Sequence, residues 1–127
     1  MKDMNGLDIP TWEDVEAAHD RIAPHIRRTH VLRSEYLNDL TGADLYFKCE
    51  NFQEPGAFKV RGATNAVFSL TDAQAKRGVA THSSGNHGLS LSYAAGRRGI
   101  PCTVVMPRTA PQAKKDQVRY YGGTIVE

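Results

Sequence analysis

The sequence predicts an α/β fold built on a parallel sheet. Three observations carry that expectation. Short apolar runs rich in β-branched residues, at 79–82, 102–106 and 124–126, alternate with longer stretches of helical periodicity. Glycine or proline marks the junctions, at Gly78, Gly99, Pro111 and Gly122-Gly123. The resulting rhythm of strand, helix, strand, helix, strand implies parallel pairing through right-handed crossovers.

The elements follow in order. Thr11 before Trp12-Glu13-Asp14 reads as a helix start, a capping hydroxyl with acids in the first turn. Val15, Ala18, His19 and Ile22 continue one face of that helix until Pro24 ends it. Residues 26–32 read as an extended connection. Ser34 caps a short helix through Leu40, closed by Thr41-Gly42. Period-two alternation predicts a strand over 45–50, broken by Pro55-Gly56. From about Phe58 a helix places Ala63, Ala66, Val67 and Leu70 on its buried side. Thr71-Asp72 starts another short helix that Gly78 stops. After the strand at 79–82, a helix runs from Asn86 to Arg98 with Leu89, Tyr93 and Ala94 inside. Pro111 stands where a first-turn proline belongs, and the helix after it runs to Tyr121.

The chain has 127 residues, 40% of them hydrophobic and 24% charged, which suits one small globular domain with a modest core. A formal net charge of +2 points to no nucleic-acid or membrane-surface partner. The polar start Met1-Lys2-Asp3-Met4-Asn5-Gly6 argues against a signal peptide, and no apolar stretch approaches a membrane span. A cytoplasmic location is expected. Cys49 and Cys102 form no C-x-x-C and read as buried free thiols. The five histidines show no metal-ligand spacing, so no metal is expected. Neither a Walker A sequence nor a G-x-G-x-x-G after a strand occurs, and repeats and low-complexity segments are absent. The chain stops in its last strand, which predicts a fragment or a truncated gene product.

Two runs carry chemistry. The first is Gly56-Ala57-Phe58-Lys59-Val60-Arg61-Gly62-Ala63. Lys59 stands where a turn feeds a helix, beside the positive helix end, and a lysine so placed is a candidate Schiff-base former. Gly56 and Ala57 let a ligand lie close to the backbone, and Phe58 can wall one side of a flat ring. The second run is Thr81-His82-Ser83-Ser84-Gly85-Asn86-His87-Gly88, between a predicted strand and a predicted helix. Free N–H groups at a helix start attract anions, and a substrate carboxylate is one. Taken singly, Lys59 reads as a solvated helix-start residue, and Ser84 reads as a capping hydroxyl as well as a proton carrier. His87 reads as structural.

Together the runs resemble the lysine segment, S-F-K-x-R-G-A, and the carboxylate loop of pyridoxal phosphate enzymes of fold type II. These include threonine and serine dehydratases, serine racemases and hydroxyaspartate dehydratases. The first run departs from the pattern at Ala57, where serine is common. The resemblance implies the three-layer αβα architecture of the tryptophan synthase β-like fold, incomplete here. Residues 1–70 would be the first part of the large cofactor domain, and 71–127 an incomplete small domain. It implies pyridoxal 5′-phosphate as a Schiff base on Lys59, with Phe58 and Asn86 also at the cofactor. Ser83, Ser84, Gly85, Asn86 and His87 would bind the substrate carboxylate. Ser84 matches the serine that acts as second acid/base in the racemases, where dehydratases often carry alanine.

The implied activity is an ammonia-lyase (dehydratase) acting on threonine, serine or 3-hydroxyaspartate, with serine racemisation as a second outcome. The implied partners are a small amino-acid substrate and further copies of the same chain. The run Asn51-Phe52-Gln53-Glu54-Pro55-Gly56-Ala57-Phe58-Lys59 is similar to bacterial members. Glu35, Glu54 and Leu89 differ from the nucleotide-binding residues of eukaryotic serine racemases, and only Tyr121 agrees, so weak or no ATP binding is expected. Two other readings stand beside this one. The first is a non-catalytic remnant or interaction module, since the family's phosphate-gripping loop and its pyridine-nitrogen partner lie beyond residue 127. The second is a β-replacement synthase, against which Val60 and His87 argue.

Overall fold

The structure is a computed structural model and describes residues 2 and 4–127. Helix α1 (Trp12–Ile22) starts at a reciprocal cap: the Asp14 amide donates to the Thr11 hydroxyl, and the Thr11 amide donates to the Asp14 carboxylate. Strand β1 (Val31–Leu32) pairs antiparallel with β2 (Phe47–Lys48). Between them lies α2 (Glu35–Thr41), capped by the Ser34 hydroxyl and closed by Gly42. Helix α3 (Lys59–Phe68) and short α4 (Asp72–Lys76) lead into the sheet. Strands β3 (Val79–His82), β4 (Cys102–Val105) and β5 (Thr124–Val126) are parallel and lie in that order. Helices α5 (Asn86–Arg98) and α6 (Gln112–Tyr120) form the crossovers and pack on each other.

One sheet face meets the helices. Cys102 and Val104 on β4 are buried there with Leu91, Ala94 and Ala95 of α5 and Val118 of α6. The opposite face presents Ala80, His82, Val105 and Val126 to solvent. The described residues thus build two adjacent layers of the expected three. Helix α3 completes the core, since Ala63 and Val67 belong to the same cluster as the α5 residues. Arg98 at the end of α5 donates to the carbonyls of Val67 and Leu70 at the end of α3. Helices tied at their C-terminal ends and sharing this core run in the same sense, so both N-termini open at the same end of the pair.

Several expectations need correction. Ala66 is exposed, and Val60 and Thr64 take the buried positions on α3 instead. Leu70 lies beyond the helix end and is half-buried. The strand expected over 45–50 shrinks to Phe47–Lys48, because residues 50–52 wind into a 3₁₀ turn that carries the chain toward Lys59. Pro111 is the residue before α6, extended at ψ 133°, and not its first turn. On α1, Ile22 is buried and Ala18 half-buried, while Val15 and His19 face solvent. Both cysteines are free and buried, as expected. No helix among the described residues is long and apolar enough to cross a membrane.

Candidate active site

The lysine run is mounted on the segment Arg27–His30 expected only as a connection. Gln53 is buried, and its side chain imitates a strand pairing: its amide nitrogen donates to the Arg27 carbonyl at 2.7 Å, and its oxygen accepts from the Arg27 amide at 3.0 Å. The Cys49 amide donates to the His30 carbonyl at 3.0 Å, and Lys48 Nζ to the Thr29 carbonyl at 2.7 Å. Arg27 also pairs with Glu54 at 2.7 Å, and the Tyr121 hydroxyl donates to the other Glu54 oxygen at 2.6 Å. Burial and the Glu54 carboxylate push the Tyr121 phenol up to about 12. The loop leading to Lys59 is therefore anchored over residues 49–54 by paired polar groups. Within it the Glu54–Pro55 bond is cis, and Gly56 sits at φ 100°, a left-handed conformation that a side chain would strain.

Lys59 is the first residue of α3 and is exposed. Its amine lies 5.5 Å from the centroid of the Phe58 ring, and no described residue gives it a hydrogen bond or ion pair. Phe58 is 61% exposed, so its ring is an open wall beside the amine. The amine and the ring are both available to a ligand.

The second run follows β3 directly, so it sits at the carboxyl end of a parallel strand, where α/β sheets bind ligands. The Ser83 amide extends the ladder by donating to the Val105 carbonyl at 3.0 Å. The Ser83 hydroxyl accepts from the Gly85 amide at 3.2 Å, which tightens the turn. No side chain caps the start of α5. The N–H groups of its first turn face outward without the usual hydroxyl or carboxylate, and a Cβ built on Gly85 would meet nothing within 4 Å. Gly88 is the opposite case: a Cβ there would lie 2.8 Å from Val104 Cγ1 and 3.2 Å from the Ser83 carbonyl. Helix and loop approach this closely only because residue 88 has no side chain.

Asn86 Oδ1 accepts from Lys114 Nζ at 3.1 Å, which turns its amide NH₂ outward as a free donor. Ser84 and His87 are exposed, and no described residue bonds either side chain. The capping role weighed for Ser84 is not the one it plays, because Ser83 makes the local bond. The residues singled out in the sequence thus fall on two helix starts at one end of the α3–α5 pair. Reading the sequence missed the tasks of Glu50, Gln53 and Thr29, and the bond of Tyr121 to Glu54. Gln53 and Glu50 stand just before the lysine run and give no local pattern; only their distant partners reveal a task.

The uncommitted amine of Lys59, the bare ring of Phe58 and the uncapped start of α5 fit a flat, carbonyl-bearing anion. Among the described residues no cluster of histidine, cysteine and acidic side chains could hold a metal ion. Comparison with known proteins bears on the family of the chain. Residues 22–127 match the family described as pyridoxal-phosphate dependent enzyme. The β-hydroxyaspartate dehydratase of Paracoccus denitrificans (strain Pd 1222) is 77% identical over 119 residues, covering 94% of this chain and 38% of that protein. The serine racemase of Dictyostelium discoideum superimposes with a TM-score of 0.89 at 49% identity, over 91% of this chain and 38% of that one. The threonine deaminase of T.th. gives a TM-score of 0.85 at 40% identity, over 93% of this chain and 37% of that one. The chain spans a little over a third of the length of each.

Proposed function

We propose, since this chain belongs to the family of pyridoxal-phosphate dependent enzymes, that it carries the lysine and carboxylate-binding half of a hydroxy amino acid dehydratase. The observation that carries the reading is the pairing of an uncommitted Lys59 amine with an uncapped α5 start at the same end of two packed helices. Its 77% identity to a β-hydroxyaspartate dehydratase supports a hydroxy amino acid as the substrate, with 3-hydroxyaspartate ahead of threonine and serine.

When bound, pyridoxal phosphate supplies an electron sink that acidifies the α-carbon of an amino acid. Lys59 Nζ would hold that group covalently, and its free amine would serve as the base for the α-proton. Phe58 would wall the ring, and the amide NH₂ of Asn86 would supply a hydrogen-bond donor to the cofactor. The first-turn N–H groups of α5, with Ser83, Ser84, Gly85 and His87 around them, hold the substrate carboxylate. Departure of the β-hydroxyl as water, then hydrolysis, leaves a 2-oxo acid and ammonia. Ser84 Oγ, which no described residue holds, delivers a proton from the opposite face, and that route inverts serine. In the whole protein, residues 1–70 join the large cofactor domain and 71–127 the small one. The whole protein works in the cytoplasm as a homo-oligomer.

The test is borohydride reduction of the chain mixed with pyridoxal phosphate, followed by peptide mass mapping. A pyridoxyl adduct concentrated on Lys59 and lost in Lys59→Ala is the expected result. An even spread over all lysines would overturn the attachment point. Ammonia release from 3-hydroxyaspartate, threonine and serine by the whole protein, alongside interconversion of serine enantiomers, then ranks the substrates.

A further inference from the structure

Beyond the neighbouring Phe58 ring, Lys59 has no hydrogen bond or ion pair among the described residues, yet the residue two positions on is held firmly. Arg61 Nε donates to Glu50 Oε2 at 2.7 Å and Arg61 Nη2 to Glu50 Oε1 at 2.8 Å, a bidentate pair. The Thr29 hydroxyl, on a buried residue, donates to Glu50 Oε1 at 2.6 Å. The Glu50 side chain is only 18% exposed. Its carboxylate thus ties three segments together: the end of the β2 strand, the strip 27–30 and the first turn of α3.

The start of α3 lacks the usual device for fixing it. Phe58 is its capping residue and supplies no side-chain bond, and the first amides make 3₁₀-type contacts, Val60 to Ala57 and Arg61 to Phe58. Packing of Val60 fixes the buried side of that first turn, and without a cap its exposed side depends on side-chain ties. Two residues along a helix correspond to about 200° of rotation, so Arg61 and Lys59 leave α3 on opposite sides. Fixing Arg61 by a planar, two-bond fork therefore sets the direction in which Lys59 projects.

We infer that Glu50, Arg61 and Thr29 form a clasp that positions Lys59, so that the clasp, and not contacts of the lysine itself, sets how selectively this amine reacts. These are positioning residues; none needs to touch cofactor or substrate. The inference rests on Lys59 being the attachment point.

The experiment compares the chain with its Glu50→Gln and Arg61→Lys variants after brief exposure to sub-saturating pyridoxal phosphate and borohydride. Mass mapping gives the label on Lys59 relative to the five other lysines of the chain, Lys2, Lys48, Lys76, Lys114 and Lys115. Circular dichroism and the thermal midpoint report the fold. The clasp predicts a fall of roughly tenfold in the Lys59 ratio in both variants, with helical content kept. A purely structural role would lower the midpoint and leave the ratio unchanged, which would overturn the inference. If Glu50→Gln does not fold, Thr29→Val removes one bond of the clasp at nearly constant volume and takes its place, with a smaller drop expected and no drop counting against the clasp. A wild-type chain with no preference for Lys59 would remove the attachment point itself and the clasp's purpose with it. Preference in the wild type that survives in every variant would remove the clasp alone.

Discussion

The Glu50–Arg61 pair makes a quantitative prediction about acid stability. The Arg61 guanidinium, aided by the Thr29 hydroxyl and opposed by burial, holds the Glu50 carboxyl at about 2, against an ordinary 4.5. A carboxyl depressed in the folded state stabilises the fold fully above its unfolded value and loses that contribution as pH falls through its folded value. The window for Glu50 therefore opens near 4.5 and closes near 2. The gap between those values, at roughly 1.4 kcal/mol per pH unit, sets a ceiling of about 3 kcal/mol. Both side chains keep some exposure, 18% for Glu50 and 31% for Arg61, so solvent screening lowers the expected figure to about 2 kcal/mol. Urea unfolding of the wild-type chain and Glu50→Gln, repeated from about pH 7 to about pH 2.5, measures the difference directly. That difference is expected to be flat down to the unfolded value and then to shrink by about 2 kcal/mol. Other carboxylates, such as Glu127 with its partner Lys115, shift both proteins alike and cancel. A difference that stays constant across the whole acid range would refute the pairing as drawn.

Gly88→Ala should cost about 1–2 kcal/mol despite its better helix propensity, because the new methyl meets Val104 and the Ser83 carbonyl, and hydrogen exchange should rise at residues 83–85. Leu89→Ala, at a side chain 1% exposed, should lower stability by about 2–5 kcal/mol in denaturant unfolding. Tyr121→Phe should abolish the latest phenol in a spectrophotometric alkaline titration; since that phenol sits at about 12 against an ordinary 10, the wild-type chain alone should lose stability between those values. Gln53→Ala should strand the Arg27 amide and carbonyl, costing about 1–3 kcal/mol by thermal or urea unfolding.

The readable features were the local ones. Thr11 with Asp14, Ser34 with Leu37 and Thr71 with Gln74 are caps whose partners stand three residues away, so residue type and spacing suffice to place them. Glycines 42 and 99 close their helices in the left-handed conformation for the same local reason. The two chemical runs were legible as strings, and the structure brings both to helix starts at one end of the α3–α5 pair.

What tertiary structure alone decided was which distant groups meet. Ala66 and Val60 both look apolar, but the packing around α3 buries Val60 and leaves Ala66 in water. The strand expected over 45–50 gave way to a 3₁₀ turn, and that turn places Glu50 against Arg61 and Thr29. A hydrogen bond across eleven, twenty-one or twenty-six residues leaves no periodic trace in sequence. It exists only where the packed elements carry donor and acceptor to within bonding distance. The chain by itself therefore names Lys59 and the loop at 83–88 as chemical groups, while the frame that aims them comes from residues whose partners only the folded chain supplies.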